Sequence, residues 1–208
     1  MLLIAARNRT NSNSKETRDM SREGEKEKQD GTDNIATKLR PYLDITLKSG
    51  VDDAVIIETA TVVTAPWVRL KCRFGCGGYS GCLCCPPFSP APEDMRKVLD
   101  SYKYAILLHR HIKRGWQLVG KLNKAAITLE RSLFLAGYYK AWATKSGPCT
   151  LCPECDTSQT CKHPDKARPS MEACGIDVYA MARGNGLPIN VVKTRADERD
   201  FYTLVLVK

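Results

Sequence analysis

The sequence predicts an α/β or α+β fold, with about four strands in one mixed sheet, about four flanking helices, and two cysteine-rich loops. Three observations carry this prediction. Apolar residues switch between a two-residue and a 3.6-residue period along the chain, with glycines and prolines at the changes. The 208 residues suit one domain, at most two. Hydrophobic residues make up 43% and charged residues 26%, close to the globular average. No apolar run approaches the roughly 20 residues of a membrane-spanning helix, so no membrane association is expected.

Met1–Ala6 is apolar but shorter than the roughly 7–15 residues of a secretory core, and Arg7 and Arg9 follow it rather than precede it. A cytoplasmic location is therefore expected. From Asn8 to Asp33 the chain is polar, with interleaved Lys and Glu and no aromatic residue, too little apolar surface to fold. Residues 1–33 read as a disordered N-terminal extension, with Met20 as an alternative start. Residues 34–208 read as a single cysteine-rich domain.

Asn34–Ser49 has the pattern of an amphipathic helix carrying Leu39, Tyr42, Leu43 and Leu47, and Gly50 ends it. Pro41 is a kink or the helix start. Ala54–Glu58 reads as a short buried strand, and Val62–Leu70 as an extended lead into the first cysteine loop. Pro92–Tyr102 is a helix opened by its proline, and Tyr104–Ile112 a strand. Trp116–Ala136 is the longest helix, with Leu118, Leu122, Ala125, Leu129, Leu133 and Ala136 at three- and four-residue steps. Tyr138–Thr144 reads as a strand entering the second cysteine loop. Ser170 is an N-cap for a helix reaching Arg183, and Phe201–Val207 is a last strand.

The ten cysteines are clumped: five between Cys72 and Cys85, four between Cys149 and Cys161, and Cys174 alone. In a reducing compartment, clumping points to metal rather than to a disulfide framework. The second loop runs Cys149-x2-Cys152-x2-Cys155-x5-Cys161, followed by His163-Pro164. Three thiolates at a three-residue pitch can each reach a different iron of one cluster, as in compact ferredoxin runs. An iron–sulfur cluster, a [4Fe–4S] type in one or two copies, is the expected cofactor. Zinc is the alternative, with four ligands around one atom, drawn from Cys149, Cys152, Cys155, Cys161 and His163.

In the first loop Cys72, Cys76 and Cys85 lie at x3 and x8 spacing, with Cys82 and Cys84 as further candidates. Its glycines allow tight turns and backbone amides aimed at sulfur. Cys-x3-Cys also opens the radical-SAM motif, but the Cys-x2-Cys continuation is missing.

Three blocks taken together carry a resemblance. They are Lys71-Cys72, Gly75-Cys76, Tyr79 and Cys85-Pro86-Pro87; then Leu129-Glu130, Phe134 and Gly137–Ala141; then Gly147-Pro148-Cys149, Cys152, Cys155, Cys161, His163-Pro164, Arg168–Ala173 and Gly175–Val178. Over roughly 34–208 the chain resembles domain-of-unknown-function family 2284, predicted metal-binding proteins of anaerobic bacteria and archaea. The resemblance implies a metal-binding or iron–sulfur role for Cys72, Cys76, Cys85, Cys149, Cys152, Cys155 and Cys161, and implies no reaction. Cys82, Cys84 and Cys174 are additions to the family pattern.

Cys174 shares a helix face with Met171, Val178 and Met181 and reads as a small buried hydrophobe. His109 and His111 share one strand face and are expected to be satisfied or exposed rather than metal-bound. Glu130 is expected to pair with a nearby lysine or to serve a site. No Ser-His-Asp order, paired carboxylates or phosphate loop stands out, so no catalytic residue is assigned.

Residues 96–145 hold 11 Lys and Arg against 2 Asp and Glu, which accounts for the whole net charge of +9. This basic stretch suits an acidic protein partner. Nucleic acid is disfavoured, since neither a helix-turn-helix nor an aromatic stacking motif accompanies the charge. Two functions fit these features. One is an iron–sulfur protein in electron transfer to, or reductive activation of, a partner enzyme. The other is a non-catalytic zinc protein whose basic face binds an acidic protein or nucleic acid.

Overall fold

The computed structural model describes residues 35–113, 117–194 and 196–208. The expected extension over residues 1–33, and Trp116 at the start of the longest helix, lie outside them. The chain divides into two compact units, Met1–Arg40 and Pro41–Lys208. In the first, residues 35–40 are helical; in the second, the opening helix α1 covers residues 41–48.

The sheet has four strands in the order β1 (Asp53–Glu58), β2 (Tyr104–Ile112), β4 (Arg199–Leu206), β3 (Trp142–Ala143). Every pairing is antiparallel, with Ile56 opposite Ile106, Leu107 opposite Leu204 and Ala143 opposite Val205. The expected mixed sheet is corrected here, and the fold is α+β. A helix between two strands makes them parallel only when it crosses back over the sheet. Here the excursion between β1 and β2 returns to the end it left from.

Strand alternation sorts the core. Ile57, Ala105, Leu107, Leu204 and Leu206 face a cluster with Met95 and Leu99 of α3 (Pro92–Asp100) and Met181 of α5 (Val178–Gly184). Ile106, Leu108, Thr203 and Val205 alternate away from that cluster and are also fully buried. The long helix α4 (Gln117–Leu135) lies against β2, β3 and β4. Its Leu122, Ala126, Leu129 and Leu133 are buried while Lys121, Lys124 and Arg131 are exposed.

Three elements differ from the sequence reading. Only residues 62–65 of the expected extended run stay extended, and α2 (Pro66–Gly75) begins at Pro66, whose missing N–H costs nothing at a first helical position. Strand β3 is two residues long because Ala141 N–H donates to Tyr138 O (2.8 Å) and turns the chain first. The expected Ser170–Arg183 helix is split. Ser170 caps a short 3-10 turn by accepting from Ala173 N–H (3.1 Å), Gly175 then takes φ +76°, and Asp177 caps α5 by accepting from Ala180 N–H (3.0 Å). A Cβ on Gly175 would sit 2.7 Å from Pro92 Cβ, so no larger residue fits that break.

Candidate metal centre

Helix α2 delivers the first thiol. Val68 faces inward, and Cys72 lies one turn later with its thiol donating to Glu172 O (3.7 Å). Arg69 holds this helix in place by donating to Ser89 Oγ (2.8 Å) and to Ala173 O, while Ser89 Oγ also donates to Ala173 O (2.6 Å). Cys76 caps the helix C-terminus and is exposed.

Beyond it the chain folds through close turns, in which Tyr79 N–H donates to Cys76 O (3.3 Å), Ser80 N–H to Pro86 O (2.8 Å) and Cys85 N–H to Cys82 O (2.9 Å). The Pro86–Pro87 peptide is cis. These turns bury Cys82, Cys84 and Cys85. Cys82 Sγ lies 3.3 Å from Cys85 Sγ.

The second loop is clamped at its base. Lys145 N–H donates to Pro169 O (2.9 Å) and Met171 N–H to Lys145 O (3.3 Å), which joins the loop's entrance to its exit. Helix α4 holds both ends. Asn123 Oδ1 accepts from Ser146 N–H (2.8 Å) while its Nδ2 donates to Ser146 O (3.0 Å). Seven residues on, Glu130 takes Arg168 in two hydrogen bonds (Nη2 to Oε1 2.5 Å, Nε to Oε2 3.0 Å) and accepts from Ala143 N–H (2.6 Å). Arg168 also donates to Pro164 O and Ala167 O. Glu130 thus pairs with an arginine from the cysteine loop rather than with a lysine.

The two loops meet. Cys82, Cys84 and Cys85 pack against Cys149 and Cys155. A position one Cβ out from Gly78 lies 3.6 Å from Cys76 Sγ, 3.8 Å from Cys85 Sγ and 3.6 Å from Pro148 Cβ of the other loop.

Two cavities result. The first, of about 290 Å³, is lined by Cys72, Cys76 and Cys85 with Trp67, Tyr79 and Tyr179 among its walls. The second, of about 20 Å³, is lined by Cys149, Cys152, Cys155, Cys161 and His163, together with Cys82 and Cys84 from the first loop. All seven family-matching cysteines therefore lie on one or other cavity. Cys84 stands on the second although its sequence neighbours belong to the first loop. Spacing along the chain carried no signal for that crossing.

The donor set suits a soft metal or an iron–sulfur cluster. Backbone amides also point at sulfur in both loops: Gly78 N–H to Cys76 Sγ and His163 N–H to Cys161 Sγ, each 3.4 Å. Such bonds delocalise thiolate charge and tune a bound metal. Among the described residues no three Cys, His, Asp or Glu side chains converge as one metal ion requires.

Burial holds Cys72, Cys84 and Cys85 in the thiol form. Burial pushes Cys84 up to about 12, with Cys149 and Cys82 adding to the shift, and pushes Cys85 higher still, helped by its bond to Cys82. Burial also raises Cys72, with Cys76 next in effect. Metal uptake at such thiols releases protons.

A family model described as a predicted metal-binding protein, domain-of-unknown-function family 2284, matches residues 55–207. The chain belongs to this family. The matched span contains all ten cysteines and both cavities. Nothing among curated proteins or solved structures matches the chain.

The remaining candidates fall outside the thiol sites. Cys174 is fully buried in the main core among Met171, Ile176 and Met181. His109 is buried between Asp53 (2.7 Å) and Asp200 (3.0 Å), and His111 bonds Asp200 and Glu198 (2.9 Å each), so both histidines are satisfied by carboxylates. No described helix is long and apolar enough to cross a membrane.

Proposed function

We propose that this family member is a cytoplasmic iron–sulfur protein that carries electrons to, or reductively activates, a partner enzyme. The observation that supports it is the gathering of the seven family-matching thiols, with Cys82 and Cys84, around two abutting cavities whose amides point at sulfur. Cys149, Cys152, Cys155 and Cys161 are the residues to hold one cluster, and Cys72, Cys76 and Cys85 a second. A bound [4Fe–4S] cluster supplies one-electron redox chemistry there. The chain's own part is to orient the thiols through the α4 clamps, to donate N–H groups to Cys76 and Cys161, and to close both loops around little free volume at the second cavity.

Docking falls to the basic stretch. Arg96 and Lys97 are engaged with Asp100 (2.8 Å) and Asp94 (3.0 Å), and Lys145 is buried. The outward charge therefore sits on Lys103, Lys113, Lys121, Lys124, Arg131 and Lys140, which are exposed. An acidic partner complements that face.

Metal and acid-labile sulfide analysis, with a visible spectrum, on protein purified without oxygen tests this reading. Roughly four to eight irons with matching sulfide, and colour bleached by dithionite, are expected. About one or two zincs without sulfide would replace it by the zinc reading.

A further inference from the structure

The two cavities differ in what they leave room for. The second, at about 20 Å³, has space for little more than one water molecule, and five thiols surround it along with Cys82. The first, at about 290 Å³, is lined by only three thiols, Cys72, Cys76 and Cys85. Cys82 touches Cys85 but lies on the wall of the second cavity. Across from the three thiols stand Trp67, Tyr79 and Tyr179, with Val68, Ile176 and Val178. An apolar cavity of roughly 150 Å³ holds one benzene, so beside a thiol-held cluster this one has room for no more than a single ring. A site with three protein ligands beside an apolar pocket is how metals keep a position for an exogenous ligand, whereas a closed four-ligand site serves structure or electron transfer.

We propose that the first site holds an iron–sulfur cluster, not a single ion, through Cys72, Cys76 and Cys85 alone, and leaves one iron without a protein ligand beside this cavity. There it takes a small molecule with one metal-binding donor atom and an apolar, ring-sized body. Lys71, Glu172 and Asp177 also line the cavity and offer polar groups to a substituent. The inference rests on the reading of two metal sites and adds a small-molecule ligand to it.

The test is calorimetric titration of the metal-loaded, oxygen-free protein with 4-phenylimidazole, which joins a ring to a nitrogen donor. Imidazole (donor without ring) and toluene (ring without donor) are the controls. Metal content is measured on the same sample. Expected is one binding event, at least tenfold tighter than either control and at least tenfold weaker in Trp67→Ala. Cys82→Ser should retain the first-site metal and the 4-phenylimidazole binding, whatever it does to the second site. Two loaded sites with no preference for 4-phenylimidazole overturn the open position while leaving the metal reading intact. Loss of first-site metal in Cys82→Ser, as complete as in Cys85→Ser, overturns it too, because four thiols would then close the site. Protein that takes up no metal overturns both.

Discussion

The first cysteine loop wraps its thiols around a cavity of about 290 Å³ and leaves Cys76 exposed, whereas the second closes around about 20 Å³. Their supports differ as well. The first hangs from the C-terminal turn of α2 and from turns within itself. The second is tied at entrance and exit to one long helix by Asn123 and Glu130. A loop held by its own turns can leave a mouth beside its thiols; a loop clamped at both ends by a rigid helix can close. Similar donor chemistry is thus given different free volume by the elements that support it.

The sharpest way to break this comparison is thiol reactivity in the reduced, metal-free protein. Iodoacetamide should modify exposed Cys76 on the order of a hundredfold faster than Cys84, which is buried and whose thiol is pushed up to about 12, leaving little thiolate. Peptide mapping by mass spectrometry over time reads the ratio. Equal rates would mean that the second cavity opens as readily as the first.

Glu130→Ala comes next. Its pair with Arg168 has both side chains about one-seventh exposed (13% and 14%), and removing one partner of a largely buried pair costs about 3 kcal/mol. Urea unfolding should show that loss. Metal analysis should show the second site depleted before the first, and equal depletion of both would refute a clamp specific to the second loop.

A smaller effect is expected from Gly175→Ala, which sets a Cβ against Pro92 at φ +76° and costs about 2 kcal/mol. Gly175 O accepts Ala65 N–H (2.8 Å) just before α2, so the first loop should loosen. Faster alkylation of Cys72 with unchanged Cys152 would sharpen the contrast.

The smallest effect belongs to neither loop. Hydrogen bonds donated to Asp200 and then to Glu198 raise His111 above its ordinary value. A group whose folded value is raised adds stability that is fully present below its unfolded value, near 6.5, and is lost as pH rises through the folded value. His111 is 37% exposed, so solvent limits the effect to a few tenths of a kcal/mol. The urea midpoint of the unmodified protein should fall slightly from pH 6 to 8, and that of His111→Gln should stay flatter.

Strands β1, β2 and β4 and helices α3 and α4 were legible to within about two residues, because their periodicities are strong and their ends carry proline, glycine or polar caps. Helix α2 was not. Val62-Val63-Thr64 is β-branched and favours extension, and only the docking of Val68 and Arg69 makes a helix of Pro66–Gly75. The break at Gly175 was hidden for a similar reason, since its cause is Pro92, more than eighty residues away.

Within the candidate site, residue types and spacing marked the two cysteine loops, the burial of Cys174 and the satisfied state of the two histidines. They did not reveal that Cys84 crosses to the second cavity, or that Asn123 and Glu130 clamp its loop. By itself the sequence determined which segments are periodic enough to fold and where thiol donors are concentrated, because both are local properties of side-chain type and order. Strand direction, the division of the thiols and the openness of each cavity were decided only in the tertiary structure, because each depends on which distant backbone and side chains close around the loops.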